Sequence, residues 1–255
     1  MIEQNAAIDL YLDLLKRSLT ATVYDEEPNH DSEDVRSFVA GFVLHYIRGN
    51  AVTMLPRVRL DNIRTCIEEI LTRGVDGDLI ETGVWRGGGC IFMRGCLKAY
   101  GALDRNVWVA DSFEGLPVPD SSRERERKFH DSPLMQSSYE KMAASLDEVQ
   151  RNFAAYGLLD DRVRFLRGWF KDTLPGAPIE RLALMRLDGD YYESTVDALT
   201  ALYPKLSPGG FVIIDDYGED LWTDCRQAVD DYRGKSGITE PMRRVDSKCY
   251  FWRKS

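Results

Sequence analysis

Apolar residues recur along this chain with two different spacings. Up to residue 75 they lie three or four positions apart, which is the spacing of one face of an α-helix. Three groups predict three helices: Ile8, Leu12, Leu15 and Leu19; Val35, Phe38, Val39, Phe42, Val43 and Tyr46; and Leu60, Ile63, Ile67, Ile70 and Leu71. We therefore expect residues 1–75 to form a helical N-terminal extension.

From residue 76 onward, short continuous apolar runs alternate with helical segments. The runs lie at 79–82, 106–112, 163–166, 182–187 and 211–214, and two short terminal strands are expected around residue 245 and at 250–252. Continuous apolar runs are typical of strands buried on both faces. The alternation predicts an α/β domain at 76–255, with a mainly parallel sheet between layers of helices.

Residues 113–138 show no sustained periodicity, and this length is unusual for a passive connection. We interpret them as a lid insertion, and a disordered insertion is the alternative. The mixed charges at 123–128 are typical of a solvated loop. Ser145-Leu146-Asp147-Glu148 is a capping box that begins a helix, which ends at Gly157.

Composition limits the classes of partner. The net charge of −9 over 255 residues disfavours nucleic acid or an anionic membrane as a partner. Five cysteines without a C-x-x-C pair are typical of reduced thiols in a cytoplasmic protein. No signal-peptide pattern and no apolar run of membrane-spanning length is present. We expect a cytoplasmic protein with a small-molecule substrate.

The first apolar run leads into a glycine-rich turn with the pattern Glu81-x-Gly83-x-x-x-Gly87. Glycine permits a sharp turn and close ligand approach. The pattern is neither G-x-G-x-x-G nor a Walker loop. A carboxylate at Glu81 would repel a pyrophosphate but would suit an ammonium or a ribose hydroxyl, and S-adenosylmethionine (SAM) carries both. An ordinary βα turn is the alternative.

A second acidic residue, Asp111, ends the next strand at the edge where ligands bind in such sheets. Its carboxylate could accept two hydrogen bonds from a ribose. A loop-capping aspartate is the alternative reading.

Four further carboxylates follow the fourth and fifth strands: Asp188, Asp190, Asp215 and Asp216. Because neighbouring parallel strands end side by side, these groups should converge and repel one another unless they are protonated or bridged by a cation. Oxygen ligands without a nearby His or Cys favour a hard divalent ion, Mg²⁺ or Ca²⁺. Helix N-capping is the alternative.

Together these motifs resemble the macrocin and novobiocin type of O-methyltransferases. The resemblance extends from about residue 53 to the C-terminus, and these stretches carry it: Glu81-Thr82-Gly83-Val84-Trp85-Arg86-Gly87-Gly88, Trp108-Val109-Ala110-Asp111-Ser112-Phe113, Gly168-Trp169-Phe170-Lys171-Asp172-Thr173, Arg186-Leu187-Asp188-Gly189-Asp190 and Asp215-Asp216-Tyr217.

The resemblance implies a Rossmann-like class I fold with a seven-stranded sheet. It also implies a SAM- and Mg²⁺-dependent enzyme that methylates deoxysugar hydroxyls of antibiotics. The implied SAM-binding residues are Thr53, Met54, Glu81, Thr82, Gly83, Asp111 and Ser112, with Trp169 and Phe170 near the adenine. Asp188, Asp215 and Asp216 match the metal ligands, and Asp190 is the candidate base.

Two departures from the family pattern concern the acceptor side. Pro56 stands where a glycine is usual, and residues 135–139 lack the usual lid histidine, so that the nearest histidine is His130. We interpret His130 as a surface residue and Asp190 as the base.

Two alternatives to this function stay open at the level of sequence. The acceptor could instead be a catechol-like phenol or a polyketide, which also offers two neighbouring oxygens to Mg²⁺. The other alternative is a protein that binds SAM but is not an enzyme. The apolar N-terminal helices favour a homo-oligomer.

Overall fold

The computed structural model describes residues 6–26, 49–133, 136, 143–218 and 223–255. The helix expected between residues 35 and 46 lies outside these ranges. Within them, no helix is both long and apolar enough to cross a membrane.

The seven strands form one sheet, as the sequence predicted. They are β1 (Asp78–Thr82), β2 (Val107–Asp111), β3 (Val163–Arg167), β4 (Leu182–Leu187), β5 (Leu206–Ile214), β6 (Arg243–Arg244) and β7 (Tyr250–Arg253). Their spatial order is β3-β2-β1-β4-β5-β7-β6. Strands β1 to β5 pair in parallel, and β7 pairs antiparallel with both β5 and β6.

Eight described helices surround the sheet or form the site. They are α1 (Ala6–Leu19), α2 (Arg57–Arg73), α3 (Gly88–Ala99), α4 (Glu124–His130), α5 (Leu146–Ala155), α6 (Phe170–Thr173), α7 (Tyr192–Leu202) and α8 (Thr223–Ser236). The predicted capping box begins α5, since Ser145 accepts a hydrogen bond from the Glu148 amide at 3.2 Å. Helix α2 ends at Gly74, which has the left-handed φ of 64°.

The core has two parts, one on each face of the sheet. Leu79 and its neighbours pack under α1, α2 and α3, whereas Ile80 and its neighbours pack under α7 and α8. Successive residues of a strand point to opposite faces of the sheet. Because helices cover both faces, Leu79 and Ile80 are both buried. Leu12, Leu15 and Leu19 of α1 belong to the first part. The domain boundary at residue 75 stays a prediction.

Strand β5 is longer than predicted. The apolar run predicted it at 211–214, but the strand begins at Leu206, which pairs with Leu182. The reason is a continued hydrogen-bond ladder: the Gly209 amide donates to the Lys254 carbonyl, and the Lys254 amide donates to Gly210, each at 2.8 Å.

Candidate active site

A cavity of about 590 Å³ opens at the carboxyl ends of β1, β2 and β4, a size typical of small-molecule sites. Predicted site residues that line it are Met54, Gly83, Asp111, Ser112, Trp169, Phe170, Asp188 and Asp190. The other predicted residues are buried but do not line it: Thr53, Glu81, Thr82, Asp215 and Asp216. The structure thus divides the predicted set into a cavity wall and a layer outside that wall.

Two glycines of the first turn allow close packing of protein groups. A Cβ on Gly83, whose φ is 78°, would lie 1.7 Å from the Asp188 carbonyl oxygen, so glycine is required for β1 and β4 to end side by side. A Cβ on Gly89 would lie 2.3 Å from Glu81 Oε1. The Glu81 carboxylate therefore lies directly against the first turn of α3.

Asp111 connects the loops that follow β1 and β2. Its Oδ2 accepts a hydrogen bond from the Val84 amide at 2.7 Å, and its Oδ1 accepts one from the Phe113 amide at 2.8 Å. It thus fixes the loops after β1 and β2, and burial raises its pKa. Its Oδ1 also accepts a longer hydrogen bond from Ser112 Oγ at 3.4 Å, and the same residue lines the cavity, where a ligand can reach it.

The carboxylates of Asp188, Asp215 and Asp216 meet as predicted. One oxygen from each lies within 4.8 Å of the others. Burial, followed by the charge of Asp215, raises the pKa of Asp188 to about 7. Burial and the neighbouring acids also raise the pKa values of Asp190 and Asp216. Asp216 Oδ2 is buried and receives no hydrogen bond from the described residues. These groups fit a hard divalent cation, which would relieve their repulsion.

Sequence reasoning gave no role to Arg186, which lies at the centre of the site. Its guanidinium is 1% exposed and forms ion pairs with Glu81, Asp215 and Asp188, the last at 3.0 Å between Nη2 and Oδ2. A charged residue inside an apolar strand needs a buried partner. The presence of an arginine within the apolar run at 182–187 could therefore have indicated a buried ion pair.

Arg59 of α2 is a second arginine of this kind. Its Nη1 lies 2.7 Å from Asp215 Oδ2, and its Nε lies 2.6 Å from Asp246 Oδ2. Six carboxylates therefore share two guanidinium groups: Glu81, Asp188, Asp190, Asp215, Asp216 and Asp246 beside Arg59 and Arg186. Two guanidinium groups cannot neutralise six ionised carboxylates, so a cation would be needed for all six acids to be ionised together.

Two interpretations of the lid segment were wrong. The charged run at 123–128 is not a solvated loop, because most of it forms α4 and Glu126 is only 4% exposed. His130 is not a surface residue: it is 8% exposed, and its Nδ1 lies 3.3 Å from Tyr191 Oη. Periodicity of apolar residues could not detect α4, because its buried positions are polar.

The strand order, the antiparallel β7 and the acids at or next to the carboxyl ends of β1, β2 and β4 define a Rossmann-like class I methyltransferase. Residues 46–254 match the macrocin-O-methyltransferase (TylF) family. The chain belongs to this family of O-methyltransferases, which confirms the resemblance seen in the sequence.

Characterised relatives match over nearly the whole chain. The 8-demethyl-8-(2,3-dimethoxy-alpha-L-rhamnosyl)-tetracenomycin-C 4'-O-methyltransferase of Streptomyces olivaceus is 51% identical, over 97% of this chain and 93% of its own. The mycinamicin III 3''-O-methyltransferase of Micromonospora griseorubida is 47% identical, over 98% of both chains. The solved structure of the O-methyltransferase NovP is 46% identical with a TM-score of 0.83, covering 97% of this chain and 99% of its own.

Proposed function

We propose that this protein transfers the methyl group of SAM to a hydroxyl of a deoxysugar in antibiotic biosynthesis. The observation that carries the proposal is the identity of 51% and 47% to two enzymes that are named for glycosylated antibiotics. The carboxylates expected for such an enzyme are all present and converge at one edge of the sheet. This arrangement argues against a non-catalytic SAM-binding protein.

The cavity supports SAM as the methyl donor. Asp111 is the proposed acceptor of hydrogen bonds from the ribose, because it ends β2 and lines the cavity. Trp169 and Phe170 offer aromatic surface for the adenine. Glu81 lies outside the wall beside Gly83, and we propose that its charge favours the amino group of SAM.

We propose Thr53, Met54, Thr82 and Ser112 as further parts of the SAM site. Met54 and Ser112 line the cavity directly. Thr53 is buried against the start of α3, since a Cβ on Gly88 would lie 2.6 Å from its Cβ. Thr82 is fully buried at the end of β1. The last two would shape the site without lining it.

Asp188, Asp215 and Asp216 are the proposed ligands of a divalent cation, with Mg²⁺ as the first choice because all donors are carboxylate oxygens. A cation held there would lower the pKa of a neighbouring hydroxyl. Arg59 and Arg186 hold Asp215 in place through ion pairs to its two oxygens.

Asp190 is the proposed base. It lines the cavity two residues after Asp188, and its φ of 58° is uncommon for a residue other than glycine. Asp190 would accept the proton of the acceptor hydroxyl, and SAM, when bound, would supply the methyl group to that oxygen and leave as S-adenosylhomocysteine. Methyl transfer of this kind depends chiefly on orientation.

A turnover experiment tests the proposal and separates the acceptors. The purified protein is incubated with SAM and either a rhamnosylated tetracenomycin-type glycoside or a catechol, with MgCl₂ or with EDTA. We expect the glycoside to be methylated. EDTA should abolish this methylation, and added MgCl₂ should restore it. Methylation of the catechol alone would mean that the acceptor is a phenol and not a sugar. Turnover unchanged by EDTA would mean that the reaction does not depend on a metal ion.

We also propose a cytoplasmic homo-oligomer. All five cysteines are unpaired and buried, which supports the cytoplasmic location.

The exposed apolar side chains of α1 support the homo-oligomer. On the outer face of α1, Leu10 is 72% exposed and Leu14 is 57% exposed. Apolar side chains at this spacing would gain from contact with a second copy. Light scattering with Leu10→Ser and Leu14→Ser variants tests this, and a wild-type monomer would contradict it.

A further inference from the structure

One side of the lid contacts the three residues that follow Asp190. Arg123, Glu126 and His130 are spaced three and four positions apart, so they share one face at α4. The guanidinium carbon of Arg123 lies 3.4 Å from the ring centre of Tyr192, and its Nε lies 3.4 Å from Glu193 Oε1. His130 contacts the Tyr191 hydroxyl, as described above.

Glu126 makes the central contact of this face. Its Oε1 accepts a hydrogen bond from the Tyr192 amide at 2.7 Å. Tyr192 is the first residue of α7, and Tyr191 before it provides no side-chain cap. The first amides of a helix need acceptors from outside the helix and carry partial positive charge. Glu126 therefore caps α7 from a different element, 66 positions away.

The cap lies two residues after a strained position. Asp190 has the left-handed φ of 58°, which costs free energy in a residue other than glycine. Such a conformation persists only where neighbouring contacts hold the chain. On the C-terminal side these contacts include the Glu126 cap, the hydrogen bond from Thr195 Oγ1 to the Tyr191 carbonyl at 2.9 Å, and the bond from the Tyr191 amide to the Gly189 carbonyl at 2.6 Å.

We propose that Glu126 is a positioning residue for methyl transfer: by capping α7 from the lid helix, it fixes the backbone that presents Asp190 to the cavity. Docking of α4 and placement of the base then occur together. This inference rests on the proposed role of Asp190 as the base. It assigns Glu126 no contact with substrate, so its effect should appear in turnover more than in SAM affinity.

Three variants test this role. Glu126→Ala removes the acceptor, Glu126→Gln keeps an oxygen that can accept the same hydrogen bond, and Glu124→Ala is the control. Glu124 lies on the same helix, its side chain is 83% exposed, and its ion pair with Lys128 is long, at 3.8 Å. The readouts are kcat and KM with the glycoside, SAM affinity by calorimetry, and hydrogen exchange at the Tyr192 amide.

We expect Glu126→Ala to lower kcat about 10- to 100-fold, with SAM affinity changed less than about 2-fold, because a displaced base costs rate while uniform binding is retained. The Tyr192 amide should exchange faster in this variant. Glu126→Gln should stay within about 3-fold of wild type, since the amide oxygen replaces the acceptor. Glu124→Ala should match wild type in every measurement.

An unchanged kcat in Glu126→Ala, or an equal loss in Glu126→Ala and Glu126→Gln, would overturn the proposal. If Glu126→Ala does not fold, Glu126→Met takes its place, because it removes the acceptor but fills a similar volume, and an unchanged kcat there would also overturn the proposal. Failure of the base assignment is recognised separately, because Asp190→Asn would then remain active. The exchange rate of the Tyr192 amide would still report whether Glu126 caps α7.

Discussion

Arg59 and Asp215 lie 156 positions apart in the sequence and form a buried ion pair, with 2.7 Å between Nη1 and Oδ2. The other oxygen of Asp215 pairs with Arg186. A residue predicted to bind a metal thus has both oxygens beside guanidinium groups. The two arginines and a bound cation would therefore both neutralise the charge of Asp215. The contribution of each can be measured.

Arg59→Gln should lower the free energy of unfolding by about 3–5 kcal/mol, the usual cost of leaving one partner of a buried pair uncompensated. MgCl₂ should raise the Tm of this variant more than that of wild type, because the cation replaces part of the lost charge. Calorimetric scans with MgCl₂ and with EDTA measure both effects. Arg73→Gln on the same helix is the control, since Arg73 is 56% exposed. Equal Tm shifts in Arg59→Gln and wild type would contradict the shared compensation.

Asp111→Asn should weaken SAM binding by about 1.5–3 kcal/mol, because a hydrogen bond from a ribose hydroxyl to a charged acceptor is lost. Asn is preferable to Ala here, since it preserves one oxygen for the loop amides of Val84 or Phe113. Calorimetry with SAM measures the effect, and the exposed Asp161→Asn serves as the control. Unchanged affinity for SAM would rule out the ribose assignment.

The parts of the molecule that were predictable are those in which burial decides the residue type. Strands β1, β2 and β4 are covered on both faces. Their sequences are therefore mainly apolar, which is the pattern that predicts a buried strand. Asp111 and Asp188 were recognised because a strand that ends on an acid places it at the ligand-binding edge. Parallel neighbours then bring Asp188 and Asp215 together without further information.

The contacts that sequence reasoning missed join elements far apart in the chain. Arg59 lies on a helix whose apolar periodicity is complete without it, and its partner Asp246 lies in the loop between β6 and β7. Glu126 is hidden in a run of alternating charges, a pattern that describes solvated helices equally well. Its burial depends on α7 and α8, whose positions no local pattern specifies.

Docking of α4 should weaken as pH rises toward neutrality. Burial raises the pKa of Glu126 from its ordinary 4.5 to about 7, and Asp224 and Glu193 add to the rise while Arg123 and the Tyr192 amide oppose it. A raised pKa means that the docked state binds the proton more tightly. The stabilisation is therefore complete below about pH 4.5, is lost as pH rises through about 7, and stays absent above.

Hydrogen exchange of the α4 amides, corrected for the intrinsic rate, should show more protection at about pH 6 than at about pH 8. Glu126→Gln carries no titrating group at this position, so its protection should be the same at both values. Equal pH dependence in wild type and Glu126→Gln would assign the effect to another group.

The remaining prediction decides between Asp190 and His130 as the base. Asp190→Asn should lower kcat by about 100-fold or more, the usual contribution of a general base. SAM and Mg²⁺ affinities should be retained in this variant, since neither proposed site loses a ligand. Asp197→Asn is the control, because Asp197 lines the same cavity from α7.

His130→Ala should lower kcat by less than about 10-fold, because the ring contacts the Tyr191 hydroxyl at 3.3 Å and that residue keeps its bond from Thr195. Burial lowers the pKa of His130 below its ordinary 6.5. A histidine base would therefore produce an acid limb in the pH–rate profile below that value, and His130→Ala would abolish turnover. An inactive His130→Ala with an active Asp190→Asn would move the base to the lid helix and leave Asp190 to hold the turn between β4 and α7.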